Sequence, residues 1–126
     1  MYAQLIEQAE KYLTTLYAQD NYAAQLKRLL AELLAAGESN ADAACRALKL
    51  SRRTLQRRLR AEKTSFQKVL NEVRAVLAVN YLSDGRLKAL EVAMLLGYSS
   101  ISSFTTAFKS WYDMPPATYR DKFLGA

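Results

Sequence analysis

The stretch SRRTLQRRLRAEKTSFQKVLNEVRAVLAVNYLSDG, residues 51–85, decides the fold. Ser51 is a good N-cap for a basic helix running from Arg52 to about Ala61, with Leu55 and Leu59 one turn apart on its inner side. Thr64-Ser65-Phe66-Gln67 matches a capping box, with Thr64 at the N-cap and Gln67 three residues on. Behind it Phe66, Val69, Leu70, Val73, Val76, Leu77 and Tyr81 recur at the helical period and form the cleanest amphipathic stripe in the chain. This helix is expected to stop at Ser83-Asp84-Gly85, with Gly85 as the left-handed residue. At 1.5 Å per residue, its roughly 18 residues make a rod of about 27 Å.

Working outward, the same period continues on both sides. Tyr2, Leu5, Ile6, Ala9, Tyr12, Leu13, Leu16 and Tyr17 form one stripe. A second helix follows Asp20-Asn21, with Leu26, Leu29, Leu30, Leu33 and Leu34 inward and Gly37 at its end. A short helix starts around Ser39-Asn40 and runs to Leu48. Beyond residue 85, a short helix over Leu87–Leu96 ends at Gly97. Ser99 or Ser100 caps another, with Phe104, Phe108, Trp111 and Tyr112 on its buried side. Met114-Pro115-Pro116 breaks that helix, and Ala117–Phe123 supplies a last one. No alternating strand with hairpin turns stands out, so the fold class is all-α. A short helix, a tight turn and a second helix occur twice, over about residues 39–63 and 87–112. Two helix-turn-helix subdomains joined by the long linker helix, about residues 65–83, are therefore expected.

Composition narrows the function. The 126 residues include no His and one Cys, which removes the usual transition-metal sites and every His-assisted nucleophile. Neither a cofactor nor a metal is expected, and no enzyme: Asp84, Glu91 and Asp113 have no acid/base partner nearby in sequence and read as solvated or capping carboxylates. Cys45, among Ala43, Ala44 and Ala47, reads as a small buried hydrophobe. No apolar run approaches the ~18–20 residues of a spanning helix, and Met1-Tyr2-Ala3-Gln4 does not open a signal peptide. A soluble cytoplasmic protein without a membrane partner is the expectation. The net charge of +6 divides unevenly: residues 1–40 carry −2 and residues 41–126 carry +8. Arg46–Lys63 alone holds +7 in 18 residues, an electrostatic footprint for a polyanion. Its plainer reading is a solvated helix face.

The segments "SRRTLQRRLRAEKTSFQKVLNEVR" (51–74) and "YLSDGRLKALEVAMLLGYSSISSFTTAFKSWYDMPPATYR" (81–120) resemble the DNA-binding domain of AraC/XylS-type transcription regulators, the ornithine- and arginine-responsive kind in particular. The resemblance covers about residues 39–123. It rests on E-V-A-x-L-L-G-Y-S-S (91–100), S-F-T-T-A-F-K-S-W (103–111) and P-P-x-x-Y-R (115–120), in order and at the family's distances. It implies sequence-specific binding of double-stranded DNA, with two recognition helices in successive major grooves and activation as the usual mode. A helical turn of DNA is ~34 Å, a span that the rod plus helix radii would bridge.

In the first recognition helix, Arg53, Gln56 and Arg57 match the family's base-reading positions. Arg suits guanine O6/N7 and Gln suits adenine N6/N7. Arg52, Arg58, Arg60 and Lys63 read as phosphate contacts or solubility charges. The second recognition helix departs from the family. Thr106 stands where an Arg is common and Ser110 where another basic residue is common, while Ala89 replaces a frequent isoleucine. Its candidate base readers are Ile101, Ser102, Ser103 and Thr106, and Lys109 matches a family phosphate contact. Trp111 and Phe108 read as core rather than as stacking platforms for bases.

Such regulators usually carry a separate ligand-sensing domain ahead of the DNA-binding one. Residues 1–20 read as a linker remnant from that domain and residues 21–126 as the DNA-binding domain, so the chain reads as a fragment of a longer regulator. Residues 1–20 are expected to pair with a second copy or fold back on the Leu26–Leu34 helix. RNA polymerase is a further candidate partner. Two rival readings stand beside this one: a basic helical module docking an acidic protein or anionic membrane, and a small RNA-binding protein.

Overall fold

The structure, a computed structural model, describes residues 21–124. The expected helix over residues 1–20 lies outside the described residues. Seven helices and no strand occur among the described residues. They are α1 (Tyr22–Ala35), α2 (Ala41–Leu48), α3 (Arg52–Ala61), α4 (Phe66–Leu82), α5 (Ala89–Leu95), α6 (Ile101–Tyr112) and α7 (Pro116–Phe123). The described residues divide into two compact units, with the boundary inside α4 between Val73 and Arg74.

In the first unit, side chains that bond the backbone three residues on start α1, α2 and α3. Asn21 Oδ1 accepts from Ala24 N–H, Asn40 Oδ1 from Ala43 N–H, and Ser51 Oγ from Thr54 N–H. Leu26, Leu30 and Leu34 of α1 are buried with Ala44, Leu55, Leu59, Val69 and Val73. Leu29 and Leu33, expected inward, are only half-buried. Cys45 is buried and unpaired, as its alanine-rich surroundings suggested. Each of the first three helices ends in a left-handed residue, Gly37, Lys49 and Lys63 in turn. At those ends Glu38 N–H donates to Leu33 O, Leu50 N–H to Cys45 O, and Thr64 N–H to Leu59 O, closing the last turns.

That last bond overturns the expected capping box. Thr64 N–H is spent on ending α3, so the N-cap of α4 is Ser65. Its Oγ accepts from Lys68 N–H at 3.2 Å and its carbonyl from Val69 N–H. Gln67 instead reaches one turn forward to Asn71 Oδ1.

In the second unit, Leu77, Ala78, Tyr81 and Leu82 of α4 are buried with Leu87, Val92, Ala93, Leu96, Phe104 and Phe108. Phe108 lies among rings, with Phe104, Tyr112 and Tyr119 at centroid distances of 5.8, 4.8 and 5.4 Å. Trp111 is half-buried beside it at 6.3 Å, a packing role rather than a stacking platform. α4 ends close to the expected place but by another device. Gly85 is not left-handed. The carbonyl of Leu82 is instead satisfied by Arg120 Nε at 2.9 Å, from the start of the last turn of α7. The next helix starts at Ala89 rather than Leu87, because Leu87 is drawn into the core and its N–H donates to Asp84 O. α7 begins at Pro116 rather than Ala117, since a proline at the first helical position gives up no needed N–H.

Candidate nucleic-acid interface

Each unit presents a short helix, a turn and a longer helix. The two turns share one construction. α2 closes with Leu50 N–H on Cys45 O around left-handed Lys49, and α5 closes with Tyr98 N–H on Ala93 O around left-handed Gly97. Ser51 caps α3 two residues after the left-handed position, and Ser100 caps α6 three residues after it. The second turn is therefore one residue longer.

α3 turns Leu55 and Leu59 into the core, leaving Arg52, Arg53, Gln56, Arg57, Arg58 and Arg60 exposed. At 100° per residue these six do not share a face. Arg53, Gln56, Arg57 and Arg60 line one shallow depression on the outer side. Arg58 points elsewhere, its guanidinium 4.4 Å above the ring of Tyr22 on α1. Arg52, in the first turn, stands 3.6 Å from Asp42 in an exposed ion pair. Lys63 is exposed at the left-handed position after α3.

Around α6, Phe104 and Phe108 face the core, while Ile101, Ser102, Ser103, Thr106 and Lys109 are exposed. The helical period puts Ser102, Thr106 and Lys109 on one outward strip, with Ser103 about a quarter-turn away. The hydroxyls are partly engaged. Thr106 Oγ1 donates to Ser102 O at 3.0 Å, and Ser103 Oγ lies 3.1 Å from Ser100 Oγ. Lys109 is the basic residue of the last turn.

Several residues outside the sequence expectations hold these helices in place. Glu62 reaches from the end of α3 to the start of α1, where its two oxygens accept from Tyr22 and Ala23 N–H at 3.0 Å each. A carboxylate at a helix N-terminus also meets the favourable end of the dipole. Arg74 does the corresponding work in the second unit. Its Nε donates to Leu96 O at 2.8 Å and its guanidinium lies 4.6 Å from the centroid of the Tyr98 ring, fixing the turn ahead of α6. Burial pushes the Tyr98 phenol above its usual pKa, partly opposed by that guanidinium. Tyr112 Oη donates to Ala75 O at 2.6 Å and ties the end of α6 to α4. Glu91, read as solvated or capping, is a cap: it accepts from Lys88 N–H at 3.0 Å.

No group of three or more potential metal-ligating side chains occurs among the described residues. No helix there is long and apolar enough to cross a membrane. Against known proteins, a helix-turn-helix domain family of the AraC type matches residues 44–122, which takes in both turns and both outward helices. The chain belongs to that family.

AraC-type proteins are transcription regulators, not enzymes. The ornithine utilization regulator of Pseudomonas aeruginosa is 37% identical over 116 residues, a match covering 91% of this chain and 34% of that protein. A DNA-binding transcriptional dual regulator of Escherichia coli K-12 superposes with a TM-score of 0.76 at 27% identity, over 82% of this chain and 99% of that one. The transcriptional regulator CdpR of P. aeruginosa gives a TM-score of 0.71 at 35% identity, over 93% of this chain and 37% of that one. This AraC-type chain spans about a third or less of the length of the curated relatives it matches.

Proposed function

We propose that this AraC-type chain binds double-stranded DNA sequence-specifically in a bacterial transcription regulator that activates its targets. The observation that carries the reading is the outer side of α3, where Arg53, Gln56, Arg57 and Arg60 share one depression. Three cations and an amide on one exposed helix face suit a major groove, where Arg pairs bidentately with guanine and Gln with adenine. In this reading Arg53, Gln56 and Arg57 meet base edges, and Arg52, Arg60 and Lys63 meet phosphates. Arg58, turned to Tyr22, supplies long-range attraction more than contact. In the second unit Ser102, Ser103 and Thr106 face the bases and Lys109 a phosphate. Residues 1–20 lead from a sensor domain in the longer protein and pair with a second copy, and RNA polymerase is the downstream partner.

Selection of bound sequences from a random duplex pool tests this. A motif in two segments on one duplex is the expected result. Equal binding to structured RNA, or no enrichment from duplex DNA, would overturn it.

A further inference from the structure

We infer that the second recognition helix reads thymine methyl groups rather than guanines, so that the operator has two chemically different halves. This rests on the reading above that α6 enters a major groove. The guanine edge there offers two acceptors, N7 and O6, and is read by long side chains bearing paired donors. α3 carries such side chains at Arg53 and Arg57. α6 carries none where a recognition helix reads: from Ser99 to Phe108 there is no Arg, Lys, Asn or Gln, and Lys109 lies in the last turn.

The surface it presents instead is made of short side chains, one aliphatic and the rest hydroxyls. Ile101, the first residue of α6, leaves 45% of its surface exposed although the protein has a core beside it. Thr106, about 140° around the helix from Ile101, spends its hydroxyl hydrogen on Ser102 O, so it offers outward a methyl group and oxygen lone pairs. Ser100 gives its own hydroxyl to Ser103 Oγ while its oxygen caps Ser103 N–H. An exposed aliphatic side chain at the start of α6 and a methyl on its outward strip, among short hydroxyls, match a base pair that shows a C5-methyl in the major groove. That base is thymine. Covering one methyl is worth about a three- to fivefold change in affinity, so this half should be read more weakly than the guanine half and mostly by shape of contact.

The test uses the full chain on its selected site. Once the site is known, the thymines of each segment are replaced by deoxyuridine, which deletes only the C5-methyl. Arg53→Ala marks the segment read by α3 by relaxing its base preference. Deoxyuridine in the other segment should weaken binding about three- to fivefold per contacted thymine, and deoxyuridine in the α3 segment should not. Ile101→Ala and Thr106→Ser should each reduce that deoxyuridine sensitivity, since each removes aliphatic surface from an exposed position and leaves the helix able to fold. Guanine selected in both segments, or thymines indifferent to loss of their methyl, would overturn the inference. A site with a single selected segment would also overturn it, while leaving DNA binding standing. No enrichment of any duplex would instead remove the functional reading on which it rests.

Discussion

Replacing Arg74 with Ala should loosen the second helix-turn-helix unit without touching the first. Two interactions are lost. One is the hydrogen bond from Nε to Leu96 O at 2.8 Å, a charged donor on a helix-terminal carbonyl, worth about 1.5–3 kcal/mol. The other is the guanidinium 4.6 Å from the centroid of the Tyr98 ring, worth about 0.5–1 kcal/mol at a half-exposed site. Leu96 has no exposed surface, so water has little access to its freed carbonyl, and the two losses together cost about 2–4 kcal/mol. Arg74→Lys keeps the charge but has neither an Nε donor at that position nor a planar face, and should lose about half as much. Urea unfolding gives the difference from the midpoints, provided that the slope is unchanged. On DNA, Arg74→Ala should blur base preference in the segment read by α6 and leave the α3 segment intact. An alanine variant within about 0.5 kcal/mol of the parent would show that Arg74 does not hold the turn. An equal loss of preference in both segments would show that it acts through charge.

Arg60→Ala should lower the slope of log affinity against log salt by about 0.9 if Arg60 neutralises one phosphate, and Lys109→Ala likewise; Arg58→Ala, stacked on Tyr22, should leave the slope nearly unchanged. Arg53→Ala and Arg57→Ala should each cost about 1–3 kcal/mol on the selected site and little on sites altered at the contacted base, as titration of single-base variants would reveal. Glu62→Ala frees two N–H groups at the start of α1 and should cost about 1–2 kcal/mol in urea unfolding, with Glu62→Gln intermediate. Hydrogen bonds from the Arg86 side chain and backbone N–H hold the Asp84 carboxyl down at about pKa 2. Its stabilising effect is therefore complete above the unfolded value near ~4 and is lost as pH falls through the folded one. Acid unfolding of Asp84→Asn should be flatter than that of the parent over that window. Sedimentation of the full chain against one starting at Asn21 tests pairing through residues 1–20: dimers only in the longer chain are expected, and monomers in both at tens of micromolar would refute it.

Much of the architecture could be read from local chemistry, because local chemistry produces it. Ser51 before a leucine-spaced basic run specifies where α3 begins, and a stripe of Val, Leu and Tyr at period 3.6 specifies the long helix. Gly97 is the left-handed residue of the second turn, as a glycine after a short periodic helix implies. Lys49 and Lys63 take the same conformation without being glycine, and nothing in residue type announces it. Thr64 and Ser65 are equally good caps in isolation. Only the bond that ends α3 on Leu59 O takes Thr64 out of competition.

The residues that aim the candidate reading helices were invisible for a different reason: their partners are distant in sequence. Glu62 bonds residues 40 and 39 positions away, Arg74 one 22 away and Arg120 one 38 away. Each of those bonds satisfies a backbone group left over at a helix end, and which side chain reaches a given end depends on how the helices pack. The same holds for the arginines of α3. Composition determined that this stretch puts cations on the surface, since eight of them within Arg46–Lys63 cannot all be buried. Only packing against α1 separated Arg58, over Tyr22, from Arg53, Arg57 and Arg60 on the open face. Period and caps are properties of a segment, whereas the face a charge occupies is a property of what the segment lies against.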